Sequence, residues 1–172
     1  MDTKALSFAL ILLISFASIS CFGKKDDDKG TARGSITVKI DNADWKGTNA
    51  VGNKMAVAGR ETVIISGAKL LNASSGESEV ITITIISNGT VSPGTYSIRN
   101  QIPNAQISFS NTNEAPLHFA SFSGEVTISE ISAGNVKGEF EGMLRHTNNG
   151  EEIAFTSGSF NADMMDVFAT AF

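Results

Sequence analysis

Very few side chains in this chain could carry chemistry. Cys21 is the only cysteine, and His118 and His146 are the only histidines, among 172 residues. A zinc site built on histidine needs three or four ligands, so carboxylates would have to complete one. Asp26, Asp27 and Asp28 are adjacent, whereas a calcium loop spaces its oxygens around a glycine turn and ends on a distal glutamate. Serine and aspartate are plentiful enough for a Ser-His-Asp arrangement, but the chain has no Gly-x-Ser-x-Gly elbow. Glu139 and Glu141 lie two apart, which on a strand puts both carboxylates on one side, about 7 Å apart. Paired carboxylates can hydrolyse glycosides. Here they alternate along a Lys/Glu-rich stretch that reads as a solvated strand face. Both histidines read as surface residues at strand ends or in loops. The expectation is a protein with no catalytic centre, no metal and no cofactor.

Cys21 gains its meaning from what surrounds it. Lys4 opens a short positive region opposed by Asp2, and Ala5 to Ile14 is an apolar run. Small residues follow at Ala17, Ser18 and Ser20, the order of a secretory signal peptide. The uncharged stretch is shorter than the roughly 20 residues a spanning helix needs, and serines interrupt its second half. Ser18-Ile19-Ser20-Cys21 resembles a bacterial lipoprotein lipobox, with serine where leucine is usual. The resemblance implies that Cys21 becomes the mature N-terminus and carries diacylglycerol as a thioether. Two or three acyl chains would then hold the protein at a membrane, where one chain binds only marginally. Lys24, Lys25, Asp26, Asp27 and Asp28 follow. This run resembles the charged segment that directs Bacteroidetes lipoproteins to the outer face of the outer membrane, and it also serves as a solvated tether. The expected organisation is a leader over 1–20, a lipidated cysteine and tether over 21–33, and one domain over 34–172.

The rest of the chain reads as β. Net charge is −5, which leaves no basic surface to attract nucleic acid. A single cysteine forbids an intramolecular disulfide, so packing alone must stabilise the domain. Ile36, Val38 and Ile40 alternate with Thr37, Lys39 and Asp41, the period of a half-buried strand. A break at Asn42-Ala43-Asp44 precedes Trp45. Lys54 to Ala58 is a weak strand, and Thr62 to Ser66 and Val80 to Ile86 are strong ones, dense in β-branched residues. Asn72 to Ser78 is a polar loop, while Asn88-Gly89 and Pro93-Gly94 mark turns. Strands resume at Thr95 to Ile98 and at Ala105 to Ser110. Phe119 to Ile131, Asn135 to His146 and Glu151 to Ala162 read as three consecutive antiparallel strands joined by short turns. Val136, Gly138, Phe140, Gly142 and Leu144 share one face of the middle strand. The two glycines leave room there for a facing aromatic, Phe155 or Phe160. The fold expected is all-β: an antiparallel β-sandwich or flattened β-barrel of eight or nine strands, or a closed lipocalin-like barrel. The apolar tail Met164 to Phe172 is a further strand, a short helix or a frayed end.

Taken in order, several motifs resemble an uncharacterised domain-of-unknown-function family of small Bacteroidetes surface lipoproteins. The first is Ile36-Thr37-Val38-Lys39-Ile40-Asp41-Asn42-Ala43-Asp44-Trp45, and the second is Gly94-Thr95-Tyr96. Gly124-Glu125-Val126-Thr127-Ile128, Val136 to Gly142 and Gly158-Ser159-Phe160-Asn161 close the series. The resemblance implies an all-β fold and a surface address, and it implies no reaction. Trp45 and Tyr96 are then core or core-edge aromatics, with sugar stacking as the other use. Phe109, Phe119, Phe122, Phe140, Phe155 and Phe160 form a core, or line an apolar pocket if the sheet closes. The functional expectation is a non-catalytic surface binding or accessory module for an unknown protein, small molecule or glycan. A carrier of a small apolar ligand is the second reading and a hydrolase the third.

Overall fold

The computed structural model describes residues 34–102, 104–112 and 117–165. Cys21, Lys24, Lys25, Asp26, Asp27 and Asp28 lie outside them, as does most of the tail from Met164 to Phe172. Nine strands follow in chain order: β1 (Ser35–Ile40), β2 (Ala43–Val57), β3 (Arg60–Asn72), β4 (Glu77–Asn88), β5 (Gly94–Ser97), β6 (Asn104–Asn111), β7 (Leu117–Ile131), β8 (Asn135–His146) and β9 (Glu152–Met165). They form one sheet in the order β5-β7-β6-β4-β3-β2-β1-β9-β8, and β7 also pairs with β8. That last pairing closes eight strands into an antiparallel barrel, with β5 added alongside β7. Of the sequence alternatives, the closed barrel is the one adopted.

Local chemistry explains the strand limits. Asp41 and Asn42 both have positive φ (48° and 69°), the two-residue hairpin turn that asparagine and aspartate tolerate best. The break therefore falls one residue earlier than the sequence pattern placed it, and Ala43 and Asp44 already belong to β2. The weak stretch at Lys54 is the end of this same strand. β2 reads poorly because Asn49, with φ of 56°, sits where its register against β3 shifts between Thr48 and Val51. A bulge resets the inward and outward alternation, which erases a period-two signal.

The registers place the start of β1 and the end of β9 at one rim, here called the entry rim. Ser35 pairs with Asn161, and beyond it β2 and β9 meet directly in parallel at Val51 and Asp163, Gly52 and Met164, and Asn53 and Met165. Gly34 sits in this seam. A Cβ there would meet the Ala50 carbonyl, and would lie 2.6 Å from the Asn161 carbonyl oxygen and 2.9 Å from Ala162 Cα. The opposite, far rim carries the β1–β2, β3–β4 and β8–β9 connections.

Side chain fills the interior. Phe119, Phe109, Phe155, Phe140 and Phe160 form a chain of ring contacts with centroids 6.0–6.4 Å apart, tilted or edge-on as ring quadrupoles prefer. Ile36, Val63, Ile65, Ile81, Ile83, Ile107, Val126 and Leu144 are fully buried around this column. Each such side chain contributes about 1.5–3 kcal/mol by leaving water. Phe122 departs from the expected core and is 43 % exposed. It is the extra residue where the β7–β8 register shifts between Ser121 and Ser123, so its ring turns outward under the Arg145 guanidinium, 4.4 Å from the ring centre.

The inward glycines of β8 divide in role. Gly138 lies beneath the Phe160 ring. A Cβ there would stand 2.5 Å from Phe160 Cζ and collide with the Thr127 carbonyl. Gly142 faces the Ser123 carbonyl and Ile98 rather than an aromatic. Gly138→Ala should lower stability by about 1–3 kcal/mol in urea denaturation, since backbone must move to admit the methyl. Gly134→Ala, which meets nothing within 4 Å, should stay within about 0.5 kcal/mol of the parent.

Candidate functional site

Three places in the barrel gather polar side chains beyond what a packed wall requires. The first is the outer face of β7, β8 and β9. Glu139 stands opposite Thr127 on one side and Ser159 on the other, and Glu141 stands opposite Glu125. A recess of about 370 Å³ opens among Glu125, Thr127, Glu139, Glu141, Ser157 and Ser159. Ser157 has φ of 53° and lies where the β8–β9 register shifts, and this local kink shapes the recess. The Glu139–Glu141 pair thus acquires a third carboxylate, Glu125, that sequence spacing alone does not reveal. Strand register brings it in from 14 residues away, counted from 139 back to 125. All three glutamates are exposed. Glu139 has hydroxyl neighbours, Thr127 and Ser159, while Glu125 and Glu141 face each other across the β7–β8 ladder.

The second place is a set of hooks that tie loops and strands to the core. Trp45 Nε1 donates to Glu79 Oε2 at 2.8 Å, and Lys69 Nζ lies 3.5 Å from the same oxygen. Tyr96 Oη donates to the Ser92 carbonyl at 2.7 Å and accepts from the Ser92 N–H at 3.0 Å. Both aromatics are buried, as core residues rather than stacking platforms. Glu61, also buried, accepts from the Val91 N–H at 3.0 Å and pairs with Lys54 Nζ at 3.6 Å. A buried carboxylate needs such partners, because burial without them carries a penalty of several kcal/mol. Glu61 and Tyr96 together fix the crossing from β4 to β5.

The third place is the pair of histidines at the far rim. His118 is half-buried on β7. His146 is not a surface residue, contrary to the reading of the sequence. It continues the inward series Val136, Gly138, Phe140, Gly142, Leu144, and is only 6 % exposed. Its ring meets Phe119 edge-on at 5.0 Å and so ends the aromatic column. The alternation of β8, extended by one step, was the signal that could have found it. Among the described residues, no group of three or more His, Cys, Asp and Glu side chains is placed to hold a metal ion.

The profile of a domain-of-unknown-function family, DUF6252, matches residues 32–162. The chain belongs to this family. No curated protein and no solved structure matches the chain. The DUF6252 match begins just before β1 and ends within β9, so it takes in β1 to β8 and most of β9. The recess, the hooks and the histidine pair are therefore all features of the DUF6252 domain.

Burial, and then the electrostatic effect of the neighbouring His146, push the pKa of His118 below its ordinary 6.5. The unfolded chain consequently takes up this proton more readily than the DUF6252 barrel does. The contribution to stability is complete above about pH 6.5 and is lost as pH falls through the interval down to the folded value. Urea midpoints measured at about pH 7.5 and about pH 5.5 should fall further for the parent than for His118→Gln. An equal fall in both would show that His118 does not carry the effect.

Proposed function

We propose that this chain is a non-catalytic binding or accessory module, held at the outer membrane by lipid on Cys21 and displayed at the cell surface. The observation that carries this reading is the position of Cys21, at the end of an apolar leader and directly before a charged run. The architecture is consistent with it. The barrel begins at Ser35, so residues 22–33 form a twelve-residue spacer between the cysteine and Gly34. Lys24, Lys25, Asp26, Asp27 and Asp28 supply the export signal in this reading. The partner is a protein, a glycan or a small molecule that meets the polar outer wall, with the recess beside Glu125, Glu139 and Glu141 as a candidate contact point. Nucleic acid is not a partner, because the net charge of −5 repels a phosphate backbone.

One observation favours a second reading. A closed eight-stranded barrel is also a shape that holds one small apolar ligand. Here the five ring-contacting phenylalanines occupy that space, so a ligand would enter by displacing them.

In a lipidating host, the parent should incorporate labelled palmitate and partition with membranes. Cys21→Ala should lose the label and most of the membrane-bound fraction. Retention of the variant with membranes would defeat the anchor. The carrier reading is checked separately by native mass spectrometry of the barrel purified without detergent. A co-purified lipid-sized mass would favour the carrier, and a bare protein mass would favour the binding module.

A further inference from the structure

His146 has an arrangement that the barrel does not need for packing. Its Nδ1 accepts two backbone hydrogen bonds, from Asn148 N–H at 3.2 Å and Asn149 N–H at 3.1 Å. The ring is therefore neutral, with its proton on Nε2. That Nε2 is buried and has no hydrogen-bond partner. Two backbone bonds close the same turn, His146 N–H to the Glu151 carbonyl at 2.7 Å and Gly150 N–H to the His146 carbonyl at 3.1 Å, and one ties it to β7, Thr147 N–H to the His118 carbonyl at 3.0 Å. The imidazole thus joins the β8–β9 turn to the top of the aromatic column.

We propose that His146 is a proton-operated latch on the β8–β9 turn, and that protonation of its Nδ1 releases the turn and loosens the far rim over Phe119. One proton from solvent adds to the Nδ1 lone pair, and the ring becomes a cation. Nδ1 then bears a hydrogen that points at two N–H donors, so both turn bonds are lost at once. The cation is also left against the Phe119 edge with no acceptor for Nε2–H.

The neighbouring charges do not relieve it. On β7, His118 adds like charge when it is protonated. Arg145 on β8 and Glu152 on β9 bind each other at 2.8 Å. Glu151 lies 3.5 Å from the Asn149 side-chain amide, and Asp41 accepts from the Ala154 N–H at 2.8 Å. β6, the next strand beyond β7, carries no titratable side chain. Histidine is the side chain whose charge changes in mildly acidic water, so the latch answers to the acidity outside the protein.

The test is amide hydrogen exchange by NMR on the whole barrel, with protection factors for Asn148 and Asn149 compared at about pH 7.5 and about pH 5.0. In the parent these should fall about tenfold or more, while amides in the middle of the β7–β8 ladder change much less. His146→Asn places an amide oxygen where Nδ1 stands, so it accepts the same two bonds but takes up no proton. Its protection should stay flat with pH. His118→Gln should keep the parent's fall. Nitrogen shifts of the His146 ring should report the Nε2-protonated neutral form at the higher pH, with the cation appearing in step with exchange. Unchanged protection in the parent, an undiminished fall in His146→Asn, or loss of the fall in His118→Gln would each overturn the proposal. The parent and His118→Gln decide the matter even if His146→Asn does not fold.

Discussion

The pairing of β7 with β8 uses the last pair of free edges among eight strands, and the tight curvature it imposes accounts for much of what is irregular in this molecule. A small barrel brings opposite walls within a side chain of each other. Five phenylalanine rings then fill the lumen, and the backbone of β8 must come close to Phe160 and to the β7 carbonyls. Gly138 makes that approach possible. Register shifts interrupt the β7–β8 and β8–β9 ladders, where Phe122 and Ser157 leave the regular alternation. One bulge turns a phenylalanine out to meet Arg145, and the other shapes the recess on the outer wall.

Polar side chains enter the interior only where they hold something. Trp45 reaches Glu79, Tyr96 closes on Ser92, Glu61 takes the Val91 amide, and His146 takes two turn amides. The Val91 amide is the fully buried one among these partners, and leaving it unpaired would cost about 1–3 kcal/mol. The hydrophobic lumen sets the shape of the wall, and these contacts fix the chain where regular ladders give out.

Much of the wall was legible in the sequence because half-buried strands alternate visibly. Ile36, Val38 and Ile40, or Val136 to Leu144, announce both a strand and its inner face. Closure was not legible, since it depends on β1, at the start of the domain, meeting β9 at its end, a pairing that no local pattern announces. β2 was half hidden because the irregularity at Asn49 breaks its period. Phe122 was misplaced for the same reason: a composition-based core cannot see a bulge. His146 was misread as polar surface, although it falls on the inward parity of its own strand. Glu125 could join Glu139 and Glu141 only through cross-strand register. What is polar, buried or clustered by register is set by three-dimensional pairing, and a linear pattern carries little of it.

The seam at Gly34 also has a mechanical meaning. β1 lies between β2 and β9, paired with each along nearly its whole length. A pull delivered through the chain ahead of Gly34 runs along the axis of β1. It loads both ladders in shear, so many backbone hydrogen bonds share the force and must fail together. The same pull applied across a hairpin would open it one bond at a time. A barrel attached by its N-terminal end is thus attached through a strand held on both edges and loaded in shear.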